Sequence, residues 1–181
     1  MEEKVLKEAT VVLLVEGRGR YKKVHLGIKL KHIGAGCRNG PGGGIKEGEK
    51  PTGAAIRELE EETGAKAGKK FITTLPEYLE KVAIIDFHNK KSDGSTFTCR
   101  VHFFITRFWV GEANDTDEMK NLIPFYVSRL PFSEMMPADR EFFPIILKKE
   151  KKVIGEVWYG PFQKEMLREP TFTIVKSFPE D

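Results

Sequence analysis

The sequence predicts one α/β or α+β domain over residues 1–181, with a mixed β-sheet covered on its faces by helices. The chain has 181 residues, of which 40% are hydrophobic and 31% are charged. This length and composition are typical of a single globular domain with a substantial core. Segments rich in β-branched and aromatic residues outnumber the stretches of helical character, and this mixture indicates a layered sheet.

The order of these segments gives six strands and two helices. The predicted strands cover residues 10–15, 23–29, 81–87, 99–110, 153–159 and 172–175. The predicted helices cover residues 51–63 and 139–149, and Pro144 should kink or shorten the second because proline lacks a backbone N–H. The clearest loops are the Gly-Pro-Gly-Gly-Gly stretch at 40–44 and residues 88–95, which have the composition of a hairpin connection.

Charge, cysteine content and hydropathy exclude several classes of protein. Thirty basic and 27 acidic side chains give a net charge of +3, too small an excess to indicate a nucleic-acid or membrane partner by itself. Residues 11–15 form an apolar stretch far shorter than the roughly 20 residues of a membrane span. Cys37 and Cys99 lack the spacing of a zinc site or a disulfide framework. We therefore expect a cytoplasmic protein, either monomer or homodimer, in which the basic run 148–152 is a solvated turn.

Residues 43–65 carry the most chemical information, because a glycine-rich turn there leads into a helix with many carboxylates. Pro51 suits the first helical position, and Gly64 suits the left-handed residue that ends a helix. At about 100° per residue, Glu58, Glu61 and Glu62 share one face of this helix. The helix therefore has a concentrated acidic face.

Like charges at these spacings repel one another, so a compensating cation is expected. Arg57 is one candidate, and a solvent-exposed acidic face without a ligand is the ordinary alternative. A hard divalent cation held by carboxylates is the sharper hypothesis. Magnesium fits it best, because Mg²⁺ prefers oxygen ligands and usually bridges carboxylates to substrate phosphates. A phosphate ester or anhydride is the implied substrate.

The spacing in this segment resembles the signature of the Nudix hydrolase family, G-x5-E-x7-R-E-U-x-E-E-x-G-U, in which U is aliphatic. Ala65 departs from the pattern, since it is smaller than the usual aliphatic residue at the last position. The matching residues are Gly43, Glu49, Arg57-Glu58-Leu59, Glu61-Glu62 and Gly64.

This resemblance implies an α/β/α sandwich that cleaves nucleoside diphosphates linked to another moiety, with Mg²⁺ or Mn²⁺. It implies that Glu58, Glu61 and Glu62 bind the metal, with Glu62 as the principal ligand. It also implies that Arg57 and Glu49 brace the loop and helix, and that a backbone carbonyl near Gly42 completes the ligand set. In such a site a carboxylate accepts the proton of the attacking water.

Most of the chain further resembles one branch of that family, the animal-type enzymes that hydrolyse oxidised purine nucleoside triphosphates. The similarity lies in residues 27–31, 34–40, 117–119 and 130–139. It implies that Asn39 and Asp139 bind the purine edge, that Thr10 and Lys29 line the pocket floor, and that Glu118 is a metal ligand or base. Each of these residues also has an ordinary structural alternative. The alternatives are a turn position for Asn39, a helix cap for Asp139, a strand position for Thr10, a surface position for Lys29 and a loop position for Glu118.

Two positions depart from that branch. Met136 stands where those enzymes stack a tryptophan on the base, and a thioether packs against an aromatic face less specifically. Ala138 replaces the first of two adjacent aspartates, so Asp139 is left without its carboxylate partner. Residues 77–98 lengthen the chain relative to the branch and are expected to reshape the mouth of the pocket.

The function predicted from the sequence is a Mg²⁺-dependent hydrolase of oxidised purine nucleoside triphosphates such as 8-oxo-dGTP. It would release the monophosphate and pyrophosphate and so cleanse the nucleotide pool. One alternative is a Nudix hydrolase of another diphosphate, such as an ADP-sugar, a dinucleoside polyphosphate or an RNA 5′ end. The other is a catalytically silent module that binds a nucleotide.

Overall fold

The computed structural model describes residues 6–179, so the two ends of the expected 1–181 domain lie outside the described residues. The part that it describes contains two α-helices and eleven strands. The helices are α1 (Pro51–Thr63) and α2 (Asp139–Leu147). The strands are β1 (Leu6–Glu16), β2 (Lys23–Lys29), β3 (Arg38–Asn39), β4 (Gly42–Gly44), β5 (Ile72–Thr73), β6 (Glu80–Lys90), β7 (Thr96–Thr106), β8 (Val110–Gly111), β9 (Met119–Tyr126), β10 (Lys152–Tyr159) and β11 (Thr171–Val175).

Nine of these strands form one mixed sheet. The order along its main path is β11-β10-β6-β7-β1-β2-β3, with β4 paired to β1 and β9 paired to β2. The β1–β7 and β6–β10 pairs are parallel, and the remaining pairs in this sheet are antiparallel. A separate ribbon pairs β5 with β8. The predicted mixed sheet is therefore confirmed.

Alternation along β1 separates two buried layers. Val11 and Leu13 pack into the core beneath α2, together with Phe142. Val12 and Leu14 point to the other face and pack against Leu59 of α1. Because successive side chains of a strand face opposite sides, one helix covers each side of the sheet. This arrangement is the expected α/β/α sandwich.

The element boundaries differ from the predictions where local composition is ambiguous. The predicted strand 99–110 ends at Thr106, whose Oγ1 receives the N–H of Phe108 in a turn. Strand β9 was not predicted, because its mostly exposed residues show no clear alternation of polar and apolar side chains and include Pro124. Proline is tolerated there because β9 pairs with β2 alone and so lies at an edge. Helix α2 ends at Leu147 and not at 149, and Pro144 lies inside it. The predicted 88–95 loop shrinks to 91–95, since β6 and β7 extend into it.

The structure also bears on the cysteines and on the possibility of a membrane-spanning helix. Cys37 and Cys99 are both free thiols. Within residues 6–179, neither helix has the length and apolar character required to cross a bilayer.

Candidate active site

Three glutamates meet at the start of β9 and the last turns of α1. One carboxylate oxygen each from Glu58, Glu62 and Glu118 lies within 4.8 Å of the other two. Glu58 and Glu62 are buried on α1, and Glu118 lies just before β9. We call these three side chains the carboxylate group. Their convergence places the predicted acidic helix face against the sheet and not in open solvent.

Glycines in β4 allow the main chain to approach this group closely. The N–H of Gly42 donates to Glu62 Oε2 at 3.0 Å. A Cβ at Gly42 would come within 1.9 Å of the Thr10 carbonyl oxygen, and one at Gly43 would come within 2.5 Å of Glu58 Oε2. The contact at Gly42 is with main chain, so that position needs glycine, whereas a Cβ at Gly43 would displace the Glu58 carboxylate.

Arg57 links α1 to the turn that precedes it. Its Nε and Nη2 donate to the two oxygens of Glu49 at 2.8 Å each, and Nη2 also donates to the Gly44 carbonyl at 2.9 Å. Its Nη1 donates to Glu58 at 2.7 Å. The Arg57 hydrogen bonds lower the pKa of Glu49 to about 2, and the Glu49 contact raises the pKa of Arg57. The bracing pair implied by the sequence pattern is therefore formed.

Glu61 lies outside the carboxylate group. Its carboxylate is 3.4 Å from Arg57 Nη1, and its side chain is 29% exposed. Glu58 and Glu62 are less exposed, at 10% and 3%. The structure thus brings together Glu58, Glu62 and Glu118 of the predicted ligands and leaves Glu61 beside Arg57.

Lys29 reaches the same point from the end of β2. Its Nζ donates to the Gly42 carbonyl at 3.0 Å and lies 3.5 Å from Glu62 Oε1. Burial raises the pKa of Glu62 to about 7, and the nearby Glu58 and Glu118 raise it further. The Lys29 charge and the Gly42 N–H oppose that shift. Lys29 was expected on the floor of a purine pocket, and it lies among the carboxylates.

The donors at this point suit a hard divalent cation. They comprise three carboxylates and the carbonyl of Gly42, and no sulfur or imidazole takes part in the group. Mg²⁺ and Mn²⁺ prefer such oxygen ligands. The close packing of buried like charges also favours a cation over an ordinary acidic surface.

The residues expected at the purine lie near β3 and the start of α2. Asn39 is buried, and its Oδ1 accepts the Gly40 N–H at 2.8 Å. Asp139 is 1% exposed, and neither carboxylate oxygen has a hydrogen-bond partner among the described residues. Burial raises the pKa of Asp139 to about 8. Met136 packs toward the loop before β3, where a Cβ on Gly34 would lie 3.5 Å from its sulfur.

Asp139 influences two neighbouring groups. Burial is the main cause that raises the pKa of Cys37 and of Tyr159, and the charge of Asp139 adds to both shifts. The Tyr159 Oη accepts the N–H of Ala138 at 3.0 Å. The Asp139 carboxyl at the start of α2 therefore lies close enough to Cys37 and Tyr159 to act on both.

Thr10 lies in β1. It belongs to the same alternating set as Val12 and Leu14, which faces α1. Its Oγ1 is buried and has no hydrogen-bond partner among the described residues. Thr10 and Lys29 therefore lie on the carboxylate side of the sheet, whereas Asp139 is the first residue of α2.

Arg38 is an organising residue that the sequence reasoning missed. Its guanidinium bonds to the carbonyls of Leu26 and Asn121 at 3.4 and 3.2 Å and to Glu134 Oε1 at 3.3 Å. It also lies 5.0 Å from the ring centre of Phe125. In the sequence, the only indication of this role was a basic residue next to Asn39 in a glycine-rich stretch. Arg38 ties β2, β9 and the segment before α2 together.

The mixed sheet between two helices and the carboxylate group beside Gly42 are the arrangement expected of a hydrolase that uses a divalent metal ion. The family model described as "NUDIX domain" matches residues 5–144, and the chain belongs to this family. Enzymes of the family depend on a divalent metal ion. The chain is therefore a Nudix hydrolase.

Relatives and solved structures agree with this membership. The chain is 36% identical over 154 residues to the "Oxidized purine nucleoside triphosphate hydrolase" of Danio rerio, which covers 85% of each chain. It is 33% identical over 142 residues to the Mus musculus protein of the same name, covering 78% of this chain and 80% of that one. The MutT protein of Bacillus halodurans superposes with a TM-score of 0.70 at 22% identity, covering 93% of this chain and 97% of that one. This last similarity concerns the fold.

Proposed function

We propose that this protein hydrolyses oxidised purine nucleoside triphosphates such as 8-oxo-dGTP to the monophosphate and pyrophosphate. The carboxylate group beside Gly42 is the observation that carries the proposal, because it can hold a divalent ion against a phosphate chain. The names of the two vertebrate relatives support the substrate class. We propose the cytoplasm as the compartment, since both cysteines are free thiols. A monomer and a homodimer are both compatible with the proposal.

Glu58, Glu62 and Glu118 would hold the ion together with the carbonyl of Gly42, and Mg²⁺ is the proposed ion. A bound divalent ion neutralises phosphate oxygens and lowers the pKa of a bound water near neutral pH. Glu62 has the most buried carboxylate and is fixed by the Gly42 N–H, so it is the principal ligand.

The remaining residues of α1 position this group and handle the proton. Arg57 holds Glu58 and Glu49 in place through three short hydrogen bonds from one guanidinium, and it donates a fourth to the Gly44 carbonyl. Glu61 is more exposed than the two buried glutamates of the helix, so it can accept a proton from water that enters the site. Glu118 shares this possibility, although Lys66 holds one of its oxygens at 3.0 Å.

The base would lie between β3 and α2. A carboxyl group that burial keeps protonated can both donate and accept a hydrogen bond, so Asp139 suits the edge of an oxidised purine. Asn39 adds an amide at the same edge, and Met136 packs on the face of the ring. Lys29 and Thr10 lie on the carboxylate side, where Lys29 can contact the phosphate chain.

Glu62→Gln tests the carboxylate group directly. The amide removes one charge without a large change of shape, so kcat should fall by roughly a thousandfold while the protein stays folded. Pyrophosphate release from 8-oxo-dGTP with Mg²⁺ measures the effect. Glu60→Gln is the matched control, because Glu60 lies on the same helix but accepts from Thr73 instead. Full activity of Glu62→Gln would refute the assignment.

A panel of substrates tests the base pocket separately. The panel comprises 8-oxo-dGTP, 2-hydroxy-dATP, dGTP, dATP and ADP-ribose, and kcat/KM is measured for each. We expect the two oxidised triphosphates to be preferred, and Asp139→Ala should remove that preference. Faster cleavage of ADP-ribose than of any oxidised triphosphate would overturn the substrate class and leave the metal site intact.

A further inference from the structure

One end of the main sheet collects the ends of seven strands. The last residues of β1, β7, β9 and β11 and the first residues of β2, β6 and β10 meet there, as the pairing of Glu16 with Lys23, Lys23 with Tyr126 and Lys152 with Val175 demonstrates. The remaining register fits the same end, since Glu80 pairs with Ile105. We call this the basic end. The carboxylate group lies toward the other end of β2, beside Lys29.

Positive charge is concentrated at the basic end far beyond the net charge of the chain. Twelve lysine and arginine residues and only four acidic residues belong to the segments at this end, which are 16–23, 77–81, 106–107, 126–129, 148–152 and 175–177. The whole chain has a net charge of only +3. The basic residues are Arg18, Arg20, Lys22, Lys23, Lys81, Arg107, Arg129, Lys148, Lys149, Lys151, Lys152 and Lys176.

Glu150 joins two of these segments and is itself neutralised by them. Its carboxylate accepts from Lys22 Nζ at 2.6 Å and from Arg107 at 3.2 Å. Lys22 Nζ also donates to the Leu147 carbonyl. The Glu150 backbone adopts φ +52°, which is uncommon for a residue with a side chain. The run 148–152 is therefore linked to Lys22 through Glu150, while residues 148–151 stay exposed as expected of a solvated turn.

Several cations at this end remain available to a partner. Arg18, Lys148, Lys149 and Lys151 are exposed, and none of them forms an ion pair within residues 6–179. An anion that approaches the basic end would therefore meet charges that the fold has not satisfied.

Exposed aromatic rings lie among these cations. Tyr21 is 61% exposed, Phe108 is 63% exposed and Tyr126 is 43% exposed. Arg20 and Lys23 each lie 4.9 Å from the centre of a tyrosine ring, over Tyr21 and Tyr126 respectively. Cations that track phosphates and aromatic faces that stack on bases are the two elements of single-strand recognition.

The basic end is longer than a site for one small phosphate requires. Seven strands spaced at about 4.8 Å give an edge roughly 30 Å long. The seven residues of β2 from Lys23 to Lys29 separate it by roughly 20 Å from the carboxylate group, since each step along a strand advances about 3.3 Å. The basic end is thus independent of the nucleotide bound at the carboxylates, and its length suits several consecutive phosphates.

We propose that the basic end binds single-stranded nucleic acid through its phosphate backbone, with Tyr21 and Tyr126 stacking on bases. The interaction is independent of sequence, because exposed cations and ring faces read no base edges. It leaves the carboxylate group open to free nucleotides at the other end of β2.

Fluorescence anisotropy with a fluorescein-labelled dT20 oligonucleotide tests the proposal. The variant K148S/K149S/K151S is compared with K90S/K91S/K164S, which removes the same charge from exposed lysines at the opposite end of the sheet. At 50 mM salt we expect the first variant to bind at least tenfold more weakly and the second to bind within twofold of wild type. The slope of log K against log salt should also fall by about 2 in the first variant, at roughly 0.7 per lost contact.

A second substitution separates stacking from charge. Tyr21→Ser should weaken dT20 binding several-fold and leave heparin binding unchanged, because heparin offers charge without bases. Equal weakening by both lysine variants, or tighter binding to phosphatidylserine vesicles than to dT20, would overturn the proposal. Equal affinity for duplex DNA would do the same. Hydrolysis of free nucleotide should be unaffected in the lysine variants, so failure here is distinct from failure of the proposed activity.

Discussion

Asp139→Asn should change how the stability of the protein depends on pH. In the folded chain, burial raises the pKa of this carboxyl from its ordinary value near 3.8 to about 8. In the unfolded chain the group is exposed and titrates near 3.9. Asparagine has nearly the same shape and does not titrate. A comparison of the two proteins therefore isolates the proton on Asp139 from all other titrating groups.

The expected effect follows from the difference between the two pKa values. Between about pH 4 and pH 8 the folded chain holds a proton at Asp139 that the unfolded chain has released, so the free energy of unfolding falls as pH rises. Each pH unit corresponds to about 1.4 kcal/mol. From pH 6 to pH 7.5, the wild type should lose about 2 kcal/mol relative to the variant. The full window of about four pH units amounts to about 6 kcal/mol, which is comparable to the 5–15 kcal/mol typical of a domain.

Urea denaturation of both proteins at pH 5, 6, 7 and 7.5 measures this difference. The free energy of unfolding of the wild type minus that of Asp139→Asn should decrease steadily across this series. A difference that stays constant from pH 5 to pH 7.5 would mean that Asp139 is ionised in the folded protein. The neutral carboxyl at the proposed purine edge would then be refuted.

Two further substitutions test the geometry of the site. Gly43→Ala places a Cβ 2.5 Å from Glu58 Oε2 and should displace that carboxylate. We expect kcat to fall by roughly a hundredfold, which is the effect of misplacing a catalytic group by about an ångström. Isothermal titration with Mn²⁺ should show weaker binding, and unchanged binding would contradict the placement of Glu58. Arg38→Met removes the hydrogen bonds to Glu134 and to the Asn121 carbonyl. The KM for 8-oxo-dGTP should then rise by a larger factor than kcat falls. A loss in kcat alone would contradict a role of Arg38 in positioning the segments around the base.

The sequence predicts those parts of the fold in which local composition and tertiary packing agree. Helix α1 has the predicted bounds because Pro51 and Gly64 mark both ends and the apolar face packs on β1. Strand β9 was missed because its identity depends on pairing with β2, a contact distant in sequence. The short strand β4 was expected as loop, since three glycines carry no strand signal and only the neighbouring β1 makes them one.

The same distinction between local pattern and contacts distant in sequence decides which parts of the site could be predicted. Glu58 and Glu62 share a helix face, so spacing alone brings them together. Glu118 joins them from the start of β9, and this was inferred from a resemblance and not from spacing. The spacing also permits the Arg57–Glu61 pair, because these residues lie four apart on the helix. It could not show that Arg57 also binds Glu49 and the Gly44 carbonyl, whose positions depend on the glycine turn. Side-chain partners of this kind are set by tertiary geometry.

The energetics of α1 indicate why so many residues surround one carboxylate. Glu62 lies in the last turn of the helix, where the helix dipole is negative and disfavours another negative charge. It is also buried beside Glu58 and Glu118, so burial and like charges act against its ionised form. Lys29 and the Gly42 N–H offset only part of this. An acidic face that served solubility would lie in water and need none of these contacts. The arrangement is therefore one in which a divalent cation supplies the missing stabilisation, and folding alone would not favour it.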